Sequence, residues 1–328
     1  MFVGTACCVV SALCYTAANI CLRKLAALGA DEMWVTCIKE VVTVSVIGPW
    51  LLIQTLRRRP VLPPPRVVLA LALTGLAVQL AGNLSVQWAF GVVGLAITMS
   101  AIFGVMLCTS AAFGHVFLGE RVGGHSMAAI ALLVPSVVLL ELGAGTADHS
   151  IAAAPNAGLS PVWVLLGVGA ASLGGIMFAT LSTVIRSTAS ARVPITTIVF
   201  IITGMGVLSL GSLSVWRQGT ETLLGTDPEQ LGWMLAAGAF NLVAFLAITK
   251  GLQLTTLVHA NVLNASQVAM GAVAGVLIFQ ESLNSWLVCG ICLTIVGVLL
   301  IGSSQTPAPA VSSRRGRTTT PHIPAESG

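Results

Sequence analysis

The chain has 328 residues, of which 56% are hydrophobic and only 8% charged. A soluble domain carries about 25% charged residues, so this composition excludes a water-soluble globular protein. The formal net charge is a small +4.

Several uncharged runs reach the roughly 20 residues that a helix needs to cross a hydrocarbon core. They lack the period-two alternation of a membrane β-barrel. The expectation is an all-α integral membrane protein with ten transmembrane helices.

The first span runs over 2–22. It has no basic leading region and no cleavage site, so it reads as a retained helix rather than a signal peptide. The second, 33–55, contains WVTCIKEVVTVSVIGPWLL, with Lys39 and Glu40 inside an apolar run. A charge at the membrane centre costs about 2.5–3.5 kcal/mol, so the pair calls for a reason. Lys39 lies between Thr36 and Thr43 on one helical face and is expected to line a cavity. Neighbouring residues project about 100° apart, so the two charges are not expected simply to neutralise each other. Glu40 has a more mixed face. It is expected either at the cavity or against Arg23 or Lys24. The competing reading is structural, with one charge reaching outward and the other paired.

The linker RRRPVLPPPR leads to the third span, 67–90. There Gln79, Asn83 and Gln87 follow i, i+4, i+8 and share one face. Amides facing lipid are expensive, so this face should look into the bundle. The fourth span, 94–118, carries Ser110 and Gly114 at a small-xxx-small spacing. The fifth is 125–141, and an external loop of 142–161 follows it. The sixth and seventh spans cover 162–184 and 193–216. The eighth, 231–250, holds Asn241. The ninth, 256–279, holds His259, Asn261, Asn264 and Gln267, and then Gly271 and Gly275 as GxxxG. The tenth is 285–302. The tail 303–328 is rich in Ser, Thr, Pro and Arg and reads as a disordered extension.

With ten crossings and both termini cytoplasmic, the inner side carries eleven Lys and Arg and the outer side three (Arg23, Lys24, Arg217), with Lys39 inside a span. This is a positive-inside bias. It assigns the basic excess to topology and gives no reason to expect nucleic-acid binding. The expected setting is a lipid bilayer, a bacterial plasma (inner) membrane.

GLAITMSAIFGVMLCTSAAFGHVFLGERV from Gly94 aligns without gaps with TTLVHANVLNASQVAMGAVAGVLIFQESL from Thr255, placing Glu120 on Glu281 and Ser110 and Gly114 on Gly271 and Gly275. A repeat of five spans, an odd number, must insert its two copies with opposite topology. The expected organisation is therefore two inverted five-helix repeats, 1–141 and 162–302, around a midplane site. Ser110, Gly114, Gly271 and Gly275 are expected to pack helices. An in-chain contact is favoured because both halves carry the spacing; a homodimer is the other arrangement it allows. The two acids should bind neighbouring backbone N–H groups.

Ten spans in two halves, each with a small-residue span ending GE or QE before a last apolar span, resemble the drug/metabolite transporter superfamily, EamA type. GLQLTTLVHANVLNASQVAMGAVAGVLIFQESL is the most similar stretch, and Lys39 matches a basic position the family often has in helix 2. The resemblance implies a carrier.

No H-E-x-x-H, G-x-S-x-G or P-loop pattern occurs, so no enzyme, ATP engine, metal or cofactor is expected. The eight cysteines lie within spans and read as small apolar filler. The expected function is alternating-access carriage of a small organic solute or metabolite, proton-coupled or by exchange. Lys39, Glu40, Gln79, Asn83, His259, Asn261 and Asn264 are the candidate substrate-binding residues, with Lys39 as anchor for a carboxylate or phosphate. An anionic sugar-phosphate-type exchanger and a non-transporting membrane interaction protein are the other readings.

Overall fold

A computed structural model describes residues 2–59, 61–120, 161–189, 193–279 and 285–302, with scattered positions between 124 and 139. The rest of the fifth span, the loop 142–160, Glu281 and the tail 303–328 lie outside the described residues.

The described residues form helices only: α1 (Phe2–Ala27), α2 (Glu32–Leu56), α3 (Pro65–Ala77), a π-helical turn (Val78–Asn83), α4 (Leu84–Leu118), α5 (Pro161–Thr188), α6 (Ile195–Gln218), the short α7 (Thr220–Leu224), α8 (Pro228–Leu254), α9 (Leu257–Asn264), α10 (Ser266–Phe279) and α11 (Ser285–Gly302). Seven segments among them are long and apolar enough to cross a membrane.

Local chemistry sets the ends. α1 stops where Gly29 takes φ +67°. The Ala30 N–H then reaches the Leu25 carbonyl and the Gly29 N–H that of Ala26, a Schellman closure. Asp31 caps α2 by accepting from the Trp34 N–H at 3.0 Å. Asp227 caps α8, and Pro228 follows at a position where no N–H is needed. Thr256 caps α9.

α4 has 35 residues, about 52 Å at 1.5 Å per residue, longer than a bilayer core of about 30 Å. It cannot run straight. A Cβ built at Gly174 of α5 would press on Val86 and would lie 3.9 Å from Ile102. In a straight helix Val86 and Ile102 would be about 24 Å apart. The chain therefore doubles back between them. The segment before the bend runs antiparallel to α5, with Val93 beside Gly167 and Gly82 beside Met177. The segment after it runs parallel to α5, with Ile102 beside Gly174 and Glu120 beside Arg186. The third and fourth spans are thus two crossings within one unbroken helical stretch. The ninth span is interrupted at Ala265, where the Ala265 N–H is shared between the Asn261 and Val262 carbonyls.

The helices pack in pairs across the two parts of the chain. α1 lies on α8, while α5 lies on the π-helical turn and the start of α4. α2 lies on α6 and α8, and α6 lies on α2 and α3. α1 also touches α9 and α10, as α5 touches the later part of α4.

Ser110 and Gly114 do sit at a contact between the two parts: Ser110 meets Asn261, and a Cβ at Gly114 would lie 3.7 Å from Leu257. Gly271 does not, because a Cβ there would meet nothing within 4 Å among the described residues. The surroundings of Gly275 lie outside the described residues. Cys8, Cys21 and Cys37 are buried filler, whereas Cys108, Cys289 and Cys292 are exposed on the bundle's outer face. None of the cysteines is in a disulfide.

Candidate functional site

Between the two parts lies a cavity of about 140 Å³. Its wall draws on α1, α2, the π-helical turn, both arms of α4, α5, α6, α8, and α9 with α10. It lies near mid-depth. A Cβ at Gly206, in the middle of α6, would be 2.8 Å from Gln79 Cδ and 3.0 Å from Glu40 Cγ. The missing side chain at Gly206 is what leaves room for these two groups.

Lys39, Glu40, Gln79, Asn83 and Asn264 all line this cavity. The Lys39 Nζ lies 3.3 Å from Glu40 Oε1, and the two residues are only 6% and 2% exposed. The expectation that adjacent charges would stay apart is thus corrected. The backbone directions do diverge, but both side chains are long enough to bend toward each other. Both are almost fully buried, so each is the other's nearest counter-charge. The partner of Glu40 is Lys39. The second oxygen, Glu40 Oε2, is buried and has no hydrogen-bond partner among the described residues.

The amides form two groups. The Asn83 Nδ2 donates to Gln79 Oε1 at 2.7 Å, a local bond within the π-helical turn. The Asn19 Nδ2 donates to Gln267 Oε1 at 3.2 Å, and the Ser11 hydroxyl donates to Asn264 Oδ1 at 3.5 Å. These last bonds join α1 to α9 and α10, so these amides both line the cavity and tie helices together. A π-turn within a helix widens the spacing of side chains and is often found at functional positions. Here it holds Gln79 and Asn83 on the cavity face along with Gln87, whose Nε2 donates to the Leu22 carbonyl at 3.4 Å.

His259 and Asn261 do not line the cavity. Asn261 is fully buried and its Nδ2 donates to Ser110 Oγ at 2.7 Å. The His259 ring lies 3.2 Å from the Thr5 hydroxyl. In α9 only Asn264, at the last turn, points to the cavity. His259 is five residues earlier, so it is rotated by about 140°.

Tyr15, Asn19 and Ser182, which are not among the expected site residues, also line the cavity. The signal was present: Ser11, Tyr15 and Asn19 repeat at i, i+4, i+8, as the helix 3 amides do. The rest of the lining is largely apolar, with Phe90, Phe103, Phe178, Phe245, Met99 and Met106.

Each end of the bundle is bridged between the two parts. At one end Glu120 is buried, its Oε1 accepting from Arg186 Nε at 2.9 Å and its Oε2 from the Leu257 N–H at 2.9 Å. An acid that binds the first N–H of a helix complements the positive end of its dipole. At the other end Asp31 pairs with Arg217, and the Trp34 indole donates to Thr226 Oγ1 at 2.9 Å. Among the described residues there is no cluster of three side chains suited to a metal.

Residues 165–303 match the model of the EamA-like transporter family. A solved structure titled "Crystal structure of protein" superposes with a TM-score of 0.68 at 15% sequence identity, covering 90% of this chain and 95% of that one. At that identity the likeness speaks for the fold. No curated protein matches the sequence significantly. Residues 165–303 are thus an EamA-like transporter domain, in keeping with the drug/metabolite transporter superfamily.

Proposed function

We propose that this chain, with an EamA-like transporter domain from residue 165 onward, is a secondary carrier for a small organic solute. It works by alternating access around the central cavity. The observation that carries this reading is the cavity itself. It is lined by helices from both parts of the chain, and Lys39 and Glu40, a buried pair, are the charged side chains in its wall among the described residues. An ion pair kept in a membrane interior is costly, and a cavity beside it gives the cost a purpose.

The packing supports the inverted-repeat organisation 1–141 and 162–302. Exchanging the two parts turns the α1–α8 contact into the contact of α5 with the third span, and the α2–α6 contact into itself. Such pairing lets one part rock against the other while the site stays between them. In this reading Lys39 and Glu40 meet the polar head of the solute. Gln79, Asn83, Asn264 and Asn241 orient it, and the phenylalanines take its apolar part. The basic-residue count places both termini in the cytoplasm.

The test is solute exchange in proteoliposomes made with the purified chain. Flux should saturate with solute concentration, and Asn83→Ala and Asn264→Ala should each raise the apparent KM. Flux that never saturates would indicate a pore. Unchanged kinetics in both variants would remove the cavity from the transport path.

A further inference from the structure

The linker over 57–66, RRRPVLPPPR, joins α2 to α3, two of the segments long and apolar enough to cross a membrane. It therefore lies at the bilayer surface. Its four arginines, Arg57, Arg58, Arg59 and Arg66, are all exposed. None of them is in an ion pair among the described residues, whereas Arg186 and Arg217 each meet a carboxylate. No Asp or Glu occurs between Glu40 and Glu120, so the neighbouring stretches of chain offer no acid to balance them.

The turn that presents these arginines runs against local preference. α2 closes as α1 does, with the Arg58 N–H on the Thr55 carbonyl at 2.9 Å and the Arg59 N–H on the Gln54 carbonyl at 3.1 Å. This closure needs a left-handed residue, by default glycine. In α1 it is Gly29; in α2 it is Arg58, at φ +56°. Every other described residue in that region of φ is a glycine. A side chain there is unfavourable, and strain of this kind collects where a ligand is held.

The rest of the linker is stiff. The Thr197 hydroxyl donates to the Val61 carbonyl at 2.9 Å and ties it to the start of α6. Pro63, Pro64 and Pro65 then fix the backbone up to α3. Arg66 sits in the first turn of α3, whose N-terminus has no side-chain cap. A positive group at the positive end of a helix dipole is unfavourable unless an anion joins it. Among the arginines stands Leu62, 77% exposed. An apolar side chain with basic neighbours suits the boundary between headgroups and acyl chains.

We propose that this linker binds an anionic phospholipid of the leaflet it faces. The guanidinium groups take the phosphate, with which arginine makes paired, charge-assisted hydrogen bonds, and Leu62 enters among the acyl chains. The lipid balances the unpaired charge and completes the start of α3. A soluble phosphate or an acidic protein segment would meet the arginines but offer no acyl chain to Leu62. The inference does not depend on what the central cavity carries.

The test uses the full chain purified in a neutral detergent. Melting is followed, and bound lipid is counted by native mass spectrometry. The probes are phosphatidylglycerol, phosphatidylcholine, glycerol 3-phosphate and a poly-glutamate peptide. The expected result is a saturable rise in melting with phosphatidylglycerol, weakened by salt, and none with the other probes at the same concentration. Each basic residue near an anionic surface adds roughly a fivefold factor, so Arg57→Gln/Arg59→Gln/Arg66→Gln should bind phosphatidylglycerol roughly a hundredfold more weakly. Arg58→Gly should split the two readouts. Its melting without lipid should rise, because glycine takes the left-handed turn freely. Its affinity for phosphatidylglycerol should fall roughly fivefold. An equal effect of phosphatidylcholine overturns the inference, since any lipid would then serve. An equal effect of glycerol 3-phosphate overturns it in favour of a soluble anion, and tighter binding of poly-glutamate in favour of an acidic protein segment. Unchanged lipid affinity in both variants overturns it by placing the lipid elsewhere. The ranking of probes on the unaltered chain decides the matter even where the triple variant does not insert.

Discussion

Glu120 and Arg186 meet at 2.9 Å, and both are buried. Glu120 closes the fourth span and Arg186 ends α5, so this ion pair fastens the two parts of the chain at one end of the bundle. The second Glu120 oxygen holds the start of α9 through the Leu257 N–H. One carboxylate therefore fixes three elements.

The first prediction follows from that arrangement. Removing one partner of a buried pair costs about 3–5 kcal/mol, because the other charge is left alone. Arg186→Met should lower the melting temperature of the detergent-purified chain clearly. The double variant Arg186→Met/Glu120→Gln should recover much of the loss, since glutamine can still accept from Leu257. Equal melting of Arg186→Met and the unaltered chain would show that the pair does not hold the bundle.

The second concerns Lys39 and Glu40 as a couple. At 3.3 Å and almost fully buried, they should behave as one unit in stability. Lys39→Met should be destabilised by about 3–5 kcal/mol through the stranded Glu40 charge, and Lys39→Met/Glu40→Gln should return close to the unaltered value. Transport should fail in the single variants and in the double. A double variant that is stable and still transports would show the pair to be purely structural.

The third uses Gly206. A Cβ there would be 2.8 Å from Gln79 Cδ and 3.0 Å from Glu40 Cγ. Gly206→Ala should force both side chains to shift, at a cost of about 1–3 kcal/mol, and should weaken solute binding. Gly206→Leu should abolish flux. Normal flux in Gly206→Leu would place the path elsewhere.

The fourth separates two asparagines three residues apart. Asn261 spends its amide on Ser110, outside the cavity, while Asn264 lines it. Asn261→Ala should lower stability by about 1–3 kcal/mol and leave the apparent KM unchanged. Asn264→Ala should raise KM, and should lower stability less than Asn261→Ala does, because its bond from Ser11 is long at 3.5 Å. The same effect of both on KM would mean that α9 is rotated differently while transporting.

The fifth tests orientation. Reporter fusions after Arg59 and Ser303 should signal cytoplasm, and those near His149 and Thr226 the outside, as the basic count requires. An outside signal from the tail would sink the even number of crossings.

Composition determined that this chain lives in a membrane, because 8% charged residues cannot solvate a domain of this size, and its long apolar runs without period-two alternation determined that it is helical. The i, i+4, i+8 run of Gln79, Asn83 and Gln87 determined that they share a face, since a helix repeats every 3.6 residues. Periodicity says which residues stand together; it does not say which neighbour they face. That choice belongs to packing. In α9 it turned Asn264 to the cavity and Asn261 to Ser110, and it left His259 beside Thr5. The same limit applied to Lys39 and Glu40. The helical wheel separates them by about 100°, and only the buried setting beside Gly206 brings their ends together. The reversal between Val86 and Ile102 was legible as two spans, but its place against α5 came from the tertiary contact at Gly174, where both residues meet one glycine.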